Sequence, residues 1–146
     1  MKSLIIIFLA INSITQIFSQ KSIDPYYESL CKHILSFGTP ASSYIDTFFV
    51  RKQDYHPSYH FTLGGFQITT VDETLLYNKT KKHRHLLLTV ISPISIEQDK
   101  KVIYVTNFDV YRKKKRYSLS GSDATKTYLA YDCKVDDFLI LKEYPK

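Results

Sequence analysis

The sequence has no tryptophan, one methionine, two cysteines, four glycines and five prolines among 146 residues. So little Gly and Pro excludes a collagen-like chain or a low-complexity linker. Its longest apolar run, Leu4 to Ile11, is far short of the ~20 residues a membrane-spanning helix needs. No nucleophile elbow, P-loop, dinucleotide fingerprint or paired metal motif is present, so no catalytic chemistry has residues to stand on. What is there suits one folded domain: 44% hydrophobic residues, with twelve Tyr and nine Phe. Twenty Lys and Arg against fourteen Asp and Glu give +6, which eases association with anionic surfaces but says little about fold.

The N-terminus is ordered like a secretory signal peptide. Lys2 is cationic, LIIIFLAI follows, then polar residues lead to the small Ser19. Cleavage there predicts residues 1–19 as leader, a single domain over 20–146, and a secreted, extracellular, soluble protein. An oxidising compartment favours pairing of Cys31 with Cys133. That bridge would close a loop of about a hundred residues, worth ~4–5 kcal/mol in the chain-entropy model. Asn78-Lys79-Thr80 is a glycosylation sequon in a polar stretch, with Asn78 as the acceptor.

Leu30, Ile34, Leu35 and Phe37 recur at helical spacing before Gly38 and Pro40, predicting one helix over Glu28 to Phe37. Beyond Ser43, β-branched and aromatic residues predict strands at Tyr44–Val50, Tyr59–Leu63, Phe66–Val71, Thr74–Tyr77, Leu86–Ile91, Val102–Tyr111, Tyr117–Ser120, Thr127–Cys133 and Phe138–Glu143. Short polar breaks join them, the pattern of an antiparallel meander, and alternating βα units are absent. The expected fold is all-β: a small up-and-down antiparallel barrel of about eight strands with one short N-terminal helix. In Leu86–Ile91 and Phe138–Leu141 neither face is cleanly polar. A closed barrel with helix-covered outer patches explains that pattern, and so does a strand set curled around a helix.

The C-terminal segment resembles the lipocalins, in particular their apolipoprotein D-like branch. The resemblance rests on Ser122-Asp123 ten residues before Cys133, on the strand TYLAYDC, and on the closing run VDDFLILKEYP. Val102 to Phe108 resembles the strand before that hairpin. The resemblance implies a Cys31–Cys133 link and a carrier that holds a small hydrophobic molecule inside the barrel. The family's Gly-x-Trp motif has no counterpart here, Ala124 stands where its turn carries Tyr, and the arginine of its last strand falls on Glu143 or Lys142.

If Cys133 points outwards to reach Cys31, alternation sends Leu129 and Tyr131 outwards and Tyr128 and Ala130 into the lumen. The family pattern adds Tyr117, Leu119, Leu139 and Leu141 to the ligand-binding set, and Tyr104 and Phe108 join from the long strand. No cofactor is expected. His56 and His60, and His83 and His85, pair along extended segments, but nothing joins the pairs into a metal site. Arg112-Lys113-Lys114-Lys115-Arg116 reads as a solvated loop or as contact with anionic glycosaminoglycan or lipid; export argues against nucleic acid. The competing function is a secreted protein-binding or inhibitor module, cystatin-like in shape, with a solid core.

Overall fold

The computed structural model describes residues 24–40, 45–83, 85–113, 116–134 and 137–141; the expected leader lies outside them. The first helix, α1, is Pro25–Leu35. Its start follows from Asp24, whose side chain accepts the Tyr26 N–H at 3.0 Å, and from Pro25 at the first position, where a missing N–H costs nothing. Gly38, at φ 79°, lets the chain leave in the left-handed region. Ser29, Leu30, His33 and Ile34 form its buried face.

Eight strands follow: β1 (Thr47–Arg51), β2 (His60–Leu63), β3 (Phe66–Val71), β4 (His85–Ile91), β5 (Ser95–Glu97), β6 (Lys100–Lys113), β7 (Arg116–Asp132) and β8 (Asp137–Ile140). They form one sheet in the order β2-β3-β1-β4-β6-β7-β8, with β5 on β6. The chain is thus mostly β, in a curled half-barrel. Gly64 and Gly65, both at positive φ, supply the two-residue turn of the β2–β3 hairpin.

The expected up-and-down order fails in the N-terminal half, where a helix replaces one strand and β1 is inserted between β3 and β4. Residues 73–82, expected to hold the short strand Thr74–Tyr77 and the start of a polar turn, form a helix, α2 (Glu73–Lys82). The Asp72 carboxylate caps it through the Leu75 N–H at 2.7 Å, and Glu73 and the late lysines 79, 81 and 82 complement its dipole. A helix between β3 and β4 is a crossover, so β4 runs parallel to β3 with no antiparallel strand between them. β1 lies between them, parallel to both. The sequon therefore sits on a helix: Asn78 is exposed and accepts from Lys81 Nζ, while Thr80 is buried. The C-terminal trio β6–β7–β8 is antiparallel throughout, as expected. The turn expected at 121–125 is instead a register shift inside one long β7, where Thr106 pairs with Ala124 and Phe108 with Gly121.

α1 touches both β2 and β8, the two edges of the sheet, so the sheet curls around it. Leu30 and Ile34 are fully buried against Phe48, Val50, Phe66, Ile68, Ile91 and Ile103 on the concave face. The opposite, convex face holds a smaller core in which Leu76 of α2 packs with Val71, Leu86, Leu88 and Val110.

Both thiols are free: Cys31 is half-buried on α1 and Cys133 is exposed in the turn after β7, so the expected bridge is not formed in this structure. Burial raises the Cys31 thiol above its usual range. Cys31 in turn holds up the Tyr27 hydroxyl, chiefly through their hydrogen bond.

Candidate functional site

β1 pairs with β3 over five rungs, from Thr47 to Arg51, but with β4 over only two, Phe49–Leu88 and Val50–Thr89. Below those rungs the two parallel strands part. A cavity of about 140 Å³ occupies the parting, lined by Ile45, Asp46, Thr47, Phe49, His85, Leu86 and Leu87. This size is close to that of engineered protein cavities that admit benzene. Ile45, Phe49, Leu86 and Leu87 give apolar walls, and Asp46, Thr47 and His85 add polar groups, a mixed lining of the kind small-molecule sites use.

The geometry around His85 is set by register. Leu87 pairs with Asp109 and His85 with Tyr111, so His85 and Asp109 stand on the same face of neighbouring strands. His85 Nε2 donates to Asp109 Oδ1 at 2.6 Å, and the imidazole stacks on Tyr111 with centroids 5.2 Å apart. With Nε2 committed to the carboxylate, Nδ1 is the ring atom left to meet a ligand. Asp46 and Thr47 bring a carboxylate and a hydroxyl from the opposite wall. Phe49, the aromatic wall, carries Lys79 Nζ of α2 at 5.7 Å from its centroid.

The ligand-binding set expected from sequence shares a face, though not an enclosed one. Register places Tyr104, Phe108, Tyr117, Leu119, Tyr128, Ala130 and Leu139 on the convex side, while Leu129, expected outside, is buried in the concave core. The alternation is as expected and the phase is inverted. The reason lies in the premise that Cys133 points outwards to reach Cys31, whereas α1, which carries Cys31, lies within the curl. Leu141 follows β8 and donates its N–H to the Tyr128 carbonyl at 3.0 Å. Leu119 and Leu139 are 41% and 42% exposed. Tyr104 donates to Glu97, and Lys126 lies over both the Tyr104 and Tyr128 rings while pairing with Glu97 at 2.5 Å. That hydrogen bond lowers the Glu97 carboxyl and raises the Lys126 ammonium. Tyr117 donates to Glu73, which also binds Arg51, so these groups tie the β6–β7 hairpin to the start of α2.

The histidines paired in sequence part company. His56 is buried and stacked on Tyr59, His60 is exposed beside Thr69, His83 is exposed, and His85 belongs to the cleft. Among the described residues no three His, Cys, Asp or Glu side chains gather as for a metal ion. Nor is any described helix long and apolar enough to cross a membrane.

Sequence reasoning missed Ile45 to Thr47, the His85–Asp109 pair and the buried polar groups of the concave face. There, His33 Nδ1 meets Thr125 Oγ1 at 2.7 Å and Thr89 donates to Asn107 at 2.8 Å. A His on β4 and an Asp on β6 carry no local signal; only the strand register makes them neighbours. No family model, curated protein or solved structure matches the chain.

Proposed function

We propose that the chain is an exported binding protein that takes a small, mainly apolar molecule into the cleft between β1 and β4 and acts by binding rather than by catalysis. The observation that carries this reading is the parting of a parallel strand pair after two rungs, around a cavity lined by four apolar and three polar residues. A ligand hiding ~150 Å² of apolar surface there gains roughly 4 kcal/mol before ordering costs. The His85–Asp109 pair, Asp46 and Thr47 then orient its polar end. Export rests on the order of charge, apolar run and small residue over residues 1–19.

The test is titration with an apolar fluorescent probe. Wild-type protein is expected to bind about one probe per chain, Thr47→Phe to lose at least tenfold in affinity by filling the cleft, and Tyr128→Ala on the convex face to bind like wild type. Sensitivity to Tyr128→Ala with indifference to Thr47→Phe would move the site to the convex face. A folded protein that binds no probe would favour the second reading, a docking module with a solid core. The specific observation behind that alternative is that Leu30 and Ile34 fill the concavity a carrier would leave open.

A further inference from the structure

The described parts of two basic stretches, separated by nearly thirty residues in sequence, are brought to one end of the sheet. Residues 79–85 read Lys-Thr-Lys-Lys-His-Arg-His and residues 112–116 read Arg-Lys-Lys-Lys-Arg; neither contains an Asp or Glu. Together they hold nine of the chain's twenty Lys and Arg residues, of which Lys79, Lys81, Lys82, Arg112 and Arg116 are described side chains at this end. The β4–β6 register joins them. His85 pairs with Tyr111, so the last turn of α2 arrives two residues before that rung and Arg112 follows one residue after it. Two residues of extended chain and one strand spacing separate His83 from Tyr111 by at most ~12 Å. Lys81, Lys82, His83, Arg112 and Arg116 are all exposed. Among the described residues, the nearby carboxylates are engaged, Asp109 by His85 and Glu73 by Arg51 and Tyr117, and Asp46 lies at the cleft.

We propose that this end of the molecule is one composite docking surface for a linear polyanion, and that its partner is a sulfated polysaccharide. The charge is divided between a helix end and a hairpin on neighbouring strands. A single phosphate or sulfate can engage only one of these elements, whereas a chain of regularly spaced anions spans both. The choice among polyanions follows from the leader-like residues 1–19. An exported protein meets sulfated polysaccharide, while anionic phospholipid is concentrated on the cytoplasmic leaflet and nucleic acid lies inside the cell. The inference shares with the proposed function only the export of the chain and does not require the cleft to be filled.

Retention on immobilised heparin, followed against salt with purified full-length secreted protein, tests it. The variants are Lys81→Gln with Lys82→Gln on α2, Arg112→Gln with Arg116→Gln on the hairpin, and the quadruple combination. A control pair, Lys100→Gln with Lys134→Gln, removes the same charge from the far end of the β6–β7 hairpin. Each polyanion contact contributes about one to the slope of log affinity against log salt, so each pole pair is expected to lower that slope by about two, the quadruple by about four, and the control by none. Near-UV circular dichroism confirms folding, and the two pairs decide the matter should the quadruple not fold. Three results overturn the proposal: an α2 pair without effect, a control pair as damaging as either pole pair, or tighter binding to phosphatidylserine vesicles or duplex DNA than to heparin at equal salt. Probe binding in the cleft is measured on the same variants, so failure here and failure of the proposed function are read separately.

Discussion

On its concave face the sheet is closed by a helix that touches both edges, and Leu30, Ile34, Phe48 and Phe66 are fully buried there. On its convex face, α2 covers only the part around Val71, Leu86, Leu88 and Val110. The remainder carries Tyr104, Lys126, Tyr128 and Leu139, held together by ring–cation contacts and hydrogen bonds rather than by a second layer. The two faces use similar aromatic and aliphatic residues. What separates them is whether a helix is supplied to exclude water, so stability is concentrated inside the curl and the outside is left for contact.

The largest expected effect tests that division directly. Ile34→Ala should cost about 4 kcal/mol in urea denaturation, because it opens a cavity where every neighbour is already packed. Leu76→Ala, the matching deletion under α2, should cost about 2 kcal/mol, since the smaller convex cluster lies nearer solvent and can relax. Equal costs would remove the distinction between the faces.

A smaller effect sharpens it. Tyr59 is 5% exposed, its hydroxyl has no hydrogen-bond partner among the described residues, and burial raises its pKa far above the usual 10.0. Tyr59→Phe removes an unsatisfied polar atom while keeping the ring, so stability at pH 8 should change by less than ~1 kcal/mol. A folded-state pKa above the unfolded value gives stability that is complete below pH 10 and lost as pH rises further. The wild type should therefore lose more stability than the variant between pH 9 and pH 11 by chemical denaturation, and parallel curves would place the hydroxyl in contact with water.

The smallest effect belongs to the convex face. Glu97→Gln should leave the melting temperature at pH 7 within error, because the pair with Lys126 is solvent-exposed. The Glu97 carboxyl is lowered on folding, so what little the pair contributes is present above about pH 4.5 and fades as pH falls below it. A large loss at neutral pH would make this face part of the structural core.

Much of this architecture is legible in particular residues. Leu30 and Ile34 at helical spacing, stopped by Gly38, mark α1, and the absence of a polar face in Leu86–Ile91 signals that both sides of β4 are covered. The curled sheet around a helix was one of the two arrangements that pattern allowed. α2 was missed because Thr74-Leu75-Leu76-Tyr77 suits a strand by composition; Asp72, Glu73 and the lysines at 79, 81 and 82 were the helix signals available. One helix in place of one strand removes the antiparallel neighbour expected for β4, and β1 takes the place between β3 and β4. The cleft had no comparable signal, since it arises where the pairing of β1 with β4 stops.

The position of β1 has a consequence for how the chain acquires its shape. β6 and β7 follow one another in sequence and pair from Lys113–Arg116 onwards, so they can zip without waiting for distant segments. β1 must lodge between β3 and β4, which lie later in sequence and are separated from each other by a helix. Until both arrive, Phe48 and Val50 have no place to be buried. Loop closure over such distances comes before its reward, so insertion of β1 is expected to follow the β6–β7 pairing. During that interval the unpaired edges of β3 and β4 are the surfaces most exposed to another chain.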